Sequence, residues 1–215
     1  DIRHKGRLSK IMQDHKPDRV INLAAIPLAS ESNIFSEDAL SLNVTGTANI
    51  LETLRDMPFV EQFIQTSSSM VYGDFKYTPC DEEHPKEPLD LYGGTKLSGE
   101  ILTRVYSKQY DIPYTIIRPS AVYGPTDVNR RVSQIFLQNA VGGKKLTLHN
   151  KGESKLDFTY VKDIAHAFVL ALDSSRAIGE TFNITRGEGR SLSEYVDILG
   201  GIIPNIEVEY KELAQ

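Results

Sequence analysis

The chain has 215 residues, 40% of them hydrophobic and 25% charged, with a formal net charge of -5. This is length for one large domain or a domain with a smaller lobe, and the acidic balance argues against nucleic acid or an anionic membrane as partner. A single cysteine, Cys80, admits neither an internal disulfide nor a thiolate metal site, the five histidines show no metal-ligand spacing, and no apolar run approaches the ~20 residues of a membrane helix, so a cytoplasmic protein without metal is expected.

Asp1-Ile2-Arg3 reads as the end of a strand. A helix is predicted over 8–15, closed by Lys16-Pro17-Asp18. The run 20–25, Val-Ile-Asn-Leu-Ala-Ala, is a buried parallel strand ending in small residues, as strands do where something approaches closely. A long helix follows over 36–55, with Leu40, Val44, Thr47, Ile50, Leu51 and Leu54 on one face. The second strand, 60–65, leads into Thr66-Ser67-Ser68-Ser69-Met70-Val71-Tyr72-Gly73 and a polar loop with Asp81, Glu82, Glu83 and three prolines. Next come a helix over 89–110, a strand over 114–118 and the segment Pro119-Ser120-Ala121-Val122-Tyr123-Gly124-Pro125. Helices over 131–141, 162–172 and 191–199 then alternate with strands over 146–148, 180–185 and 206–210, and Ser191 with Glu194 forms a capping box. Such alternation specifies an α/β fold, a parallel sheet covered on both faces that gathers the polar strand ends at one edge.

Tyr92 and Lys96 are one helical turn apart and share a face. A cation beside a phenol favours the phenolate, which makes the pair a candidate proton-transfer centre.

Six segments occur together in order: Ala24-Ala25, Asn43-Val44-x-Gly46-Thr47, Thr66-Ser67-Ser68 before Val71-Tyr72-Gly73, Tyr92-x-x-x-Lys96, Arg118-Pro119-x-x-Val122-Tyr123-Gly124-Pro125, and Asp157-Phe158-Thr159-Tyr160-Val161-x-Asp163. In this the chain resembles the extended short-chain dehydrogenases/reductases, and within them the NAD-dependent nucleotide-sugar epimerase/dehydratase branch. The resemblance implies a Rossmann-like doubly wound sheet over about 1–125, carrying the catalytic residues, and a small α/β substrate lobe over about 126–215, interleaved with it. Tyr92 is implied as acid/base, with Lys96 on the nicotinamide ribose and Ser68 bonding the substrate oxygen. Asp1, Ile2, Leu23, Ala24, Ala25, Leu42 and Ser120 are implied around NAD, with NADP left open. Asn43 is expected to pin a nearby loop, Tyr72, Tyr123 and Tyr160 to pack, Ser67 and Ser69 to satisfy backbone groups, and Glu82-Glu83 to face solvent.

Ser69 and Met70 stand where dehydratases of this branch carry acidic residues, which favours an epimerase over a dehydratase. Ala121 occupies a substrate-binding position where an asparagine is frequent, and Leu156 a position where an arginine is frequent. Lys155 and the pair Arg130-Arg131 are the candidate cations for a diphosphate. A reductase acting on another substrate stays open. No glycine-rich phosphate turn precedes Asp1, so the chain is expected to be an internal piece of a longer enzyme, or a non-catalytic module. The resemblance further implies a homodimer through helices 36–55 and 89–110.

Overall fold

Short apolar pairs, Val20-Ile21, Phe63-Ile64 and Ile116-Ile117, flanked by polar residues, form the strands at the centre of the first unit. In the computed structural model, which describes residues 1–127, 129 and 131–212, the chain forms α1 (Lys5–His15), β1 (Arg19–Asn22), α2 (Ala29–Ile34), α3 (Ser36–Ala39), a π-helical turn (Leu40–Thr45), α4 (Gly46–Leu54) and β2 (Gln62–Thr66). There follow a 3₁₀ turn (Ser69–Val71), α5 (Leu91–Tyr110), β3 (Tyr114–Pro119), β4 (Val122–Tyr123), α6 (Val132–Val141), β5 (Leu146–His149), β6 (Lys155–Leu156) and β7 (Thr159–Tyr160). Then come α7 (Val161–Leu172), β8 (Thr181–Ile184), β9 (Arg190–Ser191), α8 (Leu192–Gly200) and β10 (Val208–Lys211).

The chain divides into two units, 1–119 with 165–184, and 120–164 with 185–215. The expected division, near residue 125 with the second lobe interleaved with the first, thus becomes a boundary at 119, with 165–184 in the first unit because β8 pairs in register with β3.

In the first unit the strands run parallel in the order β1-β2-β3-β8. Successive side chains of β2 point to opposite faces. Phe63 joins Met12, Ile50, Leu51, Leu54 and Ile112 in a core under α1 and α4, and Gln65 lies against Gly99 of α5. Gln62 faces the other way, donating to Thr115 Oγ1 at 2.8 Å and to Ala171 O of α7 at 3.1 Å. Helices therefore cover both faces of a Rossmann-like parallel sheet. Strand β1 ends at Asn22, three residues short of the expected Ala25. The buried Asn22 side chain turns back on the chain, accepting from Ala24 N (3.2 Å) and donating to Thr47 Oγ1 and Gln65 Oε1.

The second unit has its own core of Phe136, Ala140, Leu146, Leu148, Val196 and Leu199. Three short ladders edge it: β5 with β10 and β4 with β7, both parallel, and β6 antiparallel to β9. The predicted capping box is present, with Ser191 Oγ accepting from Glu194 N and Glu194 Oε2 accepting from Ser191 N.

Candidate active site

Tyr92 stands in the first turn of α5, and local chemistry sets that position. Asp90 caps the helix, its Oδ1 accepting from Gly93 N at 2.7 Å, after Pro88 has kept the preceding chain extended. Lys96, one turn on, is 5% exposed, with Nζ 5.7 Å from the centre of the Tyr92 ring. It donates to the backbone carbonyl of Thr66, at the carboxyl end of β2, at 3.0 Å. Burial alone drops the Lys96 ammonium to about 8. It is still mostly protonated at neutral pH, so a buried cation sits beside the phenol.

Ser68 follows Thr66 by two residues and is 8% exposed. Its Oγ caps the 3₁₀ turn by accepting from Met70 N at 3.2 Å. This turn rests on the start of α5: a Cβ built on Gly93 falls 2.5 Å from Met70 O and 2.9 Å from Pro88 Cβ. Only a glycine lets the turn bearing Ser68 close onto the helix beside Tyr92.

A fully buried ion pair lies beneath the turn. Arg118, at the end of β3, donates from Nε and Nη2 to the two oxygens of Glu100 at 2.8 and 2.7 Å. Glu100 is one turn beyond Lys96 on α5 and also accepts from Ser67 Oγ at 2.5 Å. Arg118 Nη1 reaches Tyr72 Oη at 2.6 Å, and Tyr72 donates to Asn183 Oδ1 at 2.7 Å. Burial pushes the Glu100 carboxyl up, but the bonds and charge of Arg118, aided by Ser67, outweigh it and hold the group below the ordinary range. Ser67 thus serves a carboxylate rather than the backbone groups expected of it. Glu82 is not wholly solvated either, since Oε1 accepts from Asn183 N at 2.7 Å. The sequence reading gave Glu100 no role, although its i+8 spacing from Tyr92 marks it.

The π-helical turn carries Leu42 and Asn43. Asn43 Oδ1 accepts from Ile26 N, and Nδ2 donates to Ile26 O and Thr95 Oγ1, pinning the loop after β1 to α5 as expected of it. Leu42 lines a cavity of about 400 Å³ with Arg3, Ile26, Phe35 and Asp38. Ile2 packs on the core, Asn49 holds its carbonyl, and the Asp1 carboxylate is bound by Arg3. Leu23 and Ala24 are exposed at the strand end, and Ala25 is half-buried.

The remaining predicted residues belong to the second unit. Ala121 adopts a positive φ of 35°, and its carbonyl accepts from Thr159 N. Arg131 donates to Val122 O at 2.8 Å. Lys155 is exposed on β6, and Ser120 is half-buried. Arg130 lies outside the described residues.

The NAD dependent epimerase/dehydratase family model matches residues 1–185. The chain belongs to this family. Among curated relatives, a putative UDP-glucose 4-epimerase of Methanocaldococcus jannaschii is 35% identical over 161 residues, 74% of this chain and 52% of its own length. Human dTDP-D-glucose 4,6-dehydratase is 30% identical over 184 residues, 86% of this chain and 52% of its own. Among solved structures, UDP-glucuronic acid 4-epimerase from Bacillus cereus, in complex with UDP-glucuronic acid and NAD, superposes with a TM-score of 0.90 at 33% identity, over 99% of this chain and 67% of that one. The chain thus spans about half the length of these two curated relatives.

The family is NAD-dependent, and the first unit fits the nicotinamide-ribose end of that cofactor. Thr66, whose carbonyl accepts from Lys96, has a buried Oγ1 with no hydrogen-bond partner among the described residues. Buried polar groups are generally hydrogen-bonded, so this hydroxyl has capacity for a ligand's hydroxyl. No helix among the described residues is long and apolar enough to cross a membrane.

Proposed function

We propose that the chain carries the catalytic centre of a nucleotide-sugar epimerase working through a transient keto-sugar. The observation that carries the reading is the buried Lys96 cation, anchored on Thr66 and held 5.7 Å from the Tyr92 ring. Lys96 favours the Tyr92 phenolate electrostatically. Tyr92 Oη takes the proton from the reacting sugar hydroxyl and returns it after the sugar has turned over. Ser68 Oγ gives the same sugar oxygen a hydrogen bond that strengthens as the carbonyl forms. When bound, NAD supplies the reversible hydride acceptor, held by Lys96 and Thr66 at its nicotinamide ribose and by Leu42 and the 23–25 strand end elsewhere. Within the second unit, Lys155 and Arg131 are the cations we assign to the diphosphate, with Ala121 at the sugar and Ser120 at the nicotinamide.

Epimerisation is favoured over dehydration because the residues after Ser68 are Ser69 and the exposed Met70, neither an acid for eliminating water. The deciding experiment incubates the chain with NAD and UDP-hexoses in D₂O and reads the product by NMR. An epimer without carbon-bound deuterium supports the reading. A 4-keto-6-deoxy sugar carrying deuterium would establish the dehydratase alternative, and no product the inactive module.

A homodimer is part of the proposal. Ile101 and Val105, one turn apart on α5, are 52% and 51% exposed, an apolar stripe suited to a second copy of the same helix. Ile101→Lys is expected to leave a monomer in sedimentation velocity; an unchanged dimer would place the contact elsewhere.

A further inference from the structure

The 3₁₀ turn bearing Ser68 is held at both ends by one buried ion pair. At its start, Ser67 Oγ donates to Glu100 Oε1 at 2.5 Å, and Ser67 N donates to Ile117 O of β3 at 2.7 Å. At its end, Tyr72 Oη accepts from Arg118 Nη1 at 2.6 Å. Glu100 and Arg118 hold each other through two N–H···O bonds with no exposed surface on either. The Ser68 hydroxyl lies between these two tethers and touches neither. Glu100 follows Tyr92 and Lys96 at i+8 and i+4 on the same helix face. One rigid fork therefore ties the Ser68 turn to the helix that carries the proton-transfer pair.

We infer that Glu100, Arg118, Ser67 and Tyr72 are positioning residues, which fix Ser68 relative to Tyr92 and Lys96 without meeting the substrate. Three features of the geometry support this. A planar guanidinium pairing both oxygens of a carboxylate leaves no rotational slack. The tethers enclose a segment of only six residues, 67–72, whose internal bonds (Met70 N to Ser68 Oγ, Val71 N to Ser68 O) make it one turn. Gly93 removes any side chain between that turn and the helix, so the fork sets a direct backbone contact. A displacement of about 1 Å at such a group is enough to cost on the order of 100-fold in rate.

The inference rests on the epimerase reading for its kinetic arm but has a second arm independent of turnover. Ser67→Ala releases the first tether, and Tyr72→Phe the second, while each leaves the Glu100–Arg118 pair intact. In the chain as it stands, each substitution is expected to speed amide exchange at Met70 and Val71 at least tenfold, with exchange in β2 and β3 unchanged. With a nucleotide sugar and NAD, kcat is expected to fall at least tenfold while KM stays within twofold. A role confined to stability gives the opposite pattern: a lower melting temperature, with kcat per folded molecule and local exchange unchanged, and either observation overturns the inference. If the unsubstituted chain turns over no nucleotide sugar, the epimerase reading fails on its own and the exchange measurement alone decides the clamp. Should one variant fail to fold, the other carries the same test from the opposite end of the turn.

Discussion

Lys96 is held in a place that folding alone would not choose for it. Its ammonium is 5% exposed, and burial lowers it from an ordinary 10.5 to about 8. At 1.36 kcal/mol for each pH unit, keeping the protonated form buried costs about 3 kcal/mol. The single bond to Thr66 O at 3.0 Å returns about 1 kcal/mol of that if replaced. Lys96→Met, similar in length and apolar, should therefore stabilise the chain by about 2 kcal/mol at pH 7 while abolishing NAD binding and turnover. The sign with pH follows from the direction of the shift. The folded value lies below the unfolded one, so between about 8 and 10.5 the unfolded chain binds more protons. Stability from this group is depressed below about 8 and recovers as pH rises, so the advantage of Lys96→Met should fall by about 3 kcal/mol and reverse to a deficit of about 1 kcal/mol by about pH 10.5. Urea unfolding of both proteins at pH 7, 9 and 10.5 measures the difference, with other titrating groups cancelling in the comparison. A variant less stable at pH 7, or a difference that does not change with pH, would refute the idea of an ammonium buried at a cost for the sake of function.

Gly93→Ala puts a Cβ 2.5 Å from Met70 O and should cost about 2 kcal/mol in urea unfolding, with loss of turnover, because backbone must move. A change within about 0.5 kcal/mol would mean that the turn bearing Ser68 is not seated on the helix. Asn43→Ala removes three hydrogen bonds that join the loop after β1 to α5 and should cost about 2 kcal/mol, with faster amide exchange at Ile26. Unchanged protection there would show that the loop is held by other contacts.

The layered architecture was legible because short strands with apolar pairs alternate with amphipathic helices along the chain. The stretches around Phe63-Ile64 and Thr115-Ile116-Ile117 are short, β-branched or aromatic, and lie between longer helical patterns, which marks them as strands. The candidate site was legible as spacing: Tyr92 and Lys96 share a helix face whatever the surroundings. Three features were not. The π-helical turn at Leu40–Thr45 lies inside a continuous helical pattern over 36–55, and periodicity does not register one extra residue in a turn. That turn carries the Asn43 side chain that bonds Ile26 and Thr95. The two-residue strands β4, β6, β7 and β9 are too short for any alternation to appear. Nor does a sequence show that Arg118, at the end of an apolar strand, and Glu100, on an amphipathic helix, answer each other's charge across a buried gap. Each looks alone like a solvated residue. Only the fold, by removing both from water, makes the pairing obligatory.

Tyr92 as the acid/base is tested most directly by Tyr92→Phe, which removes one oxygen from a half-buried ring and leaves Lys96, Thr66 and Ser68 in place. The paired measurement is epimer formation from a UDP-hexose by NMR and NADH binding by fluorescence titration. We predict that turnover falls below detection while the NADH affinity and the melting temperature stay within error of the unsubstituted chain. Epimer formation at an undiminished rate would contradict the account, since proton transfer would then belong to another group.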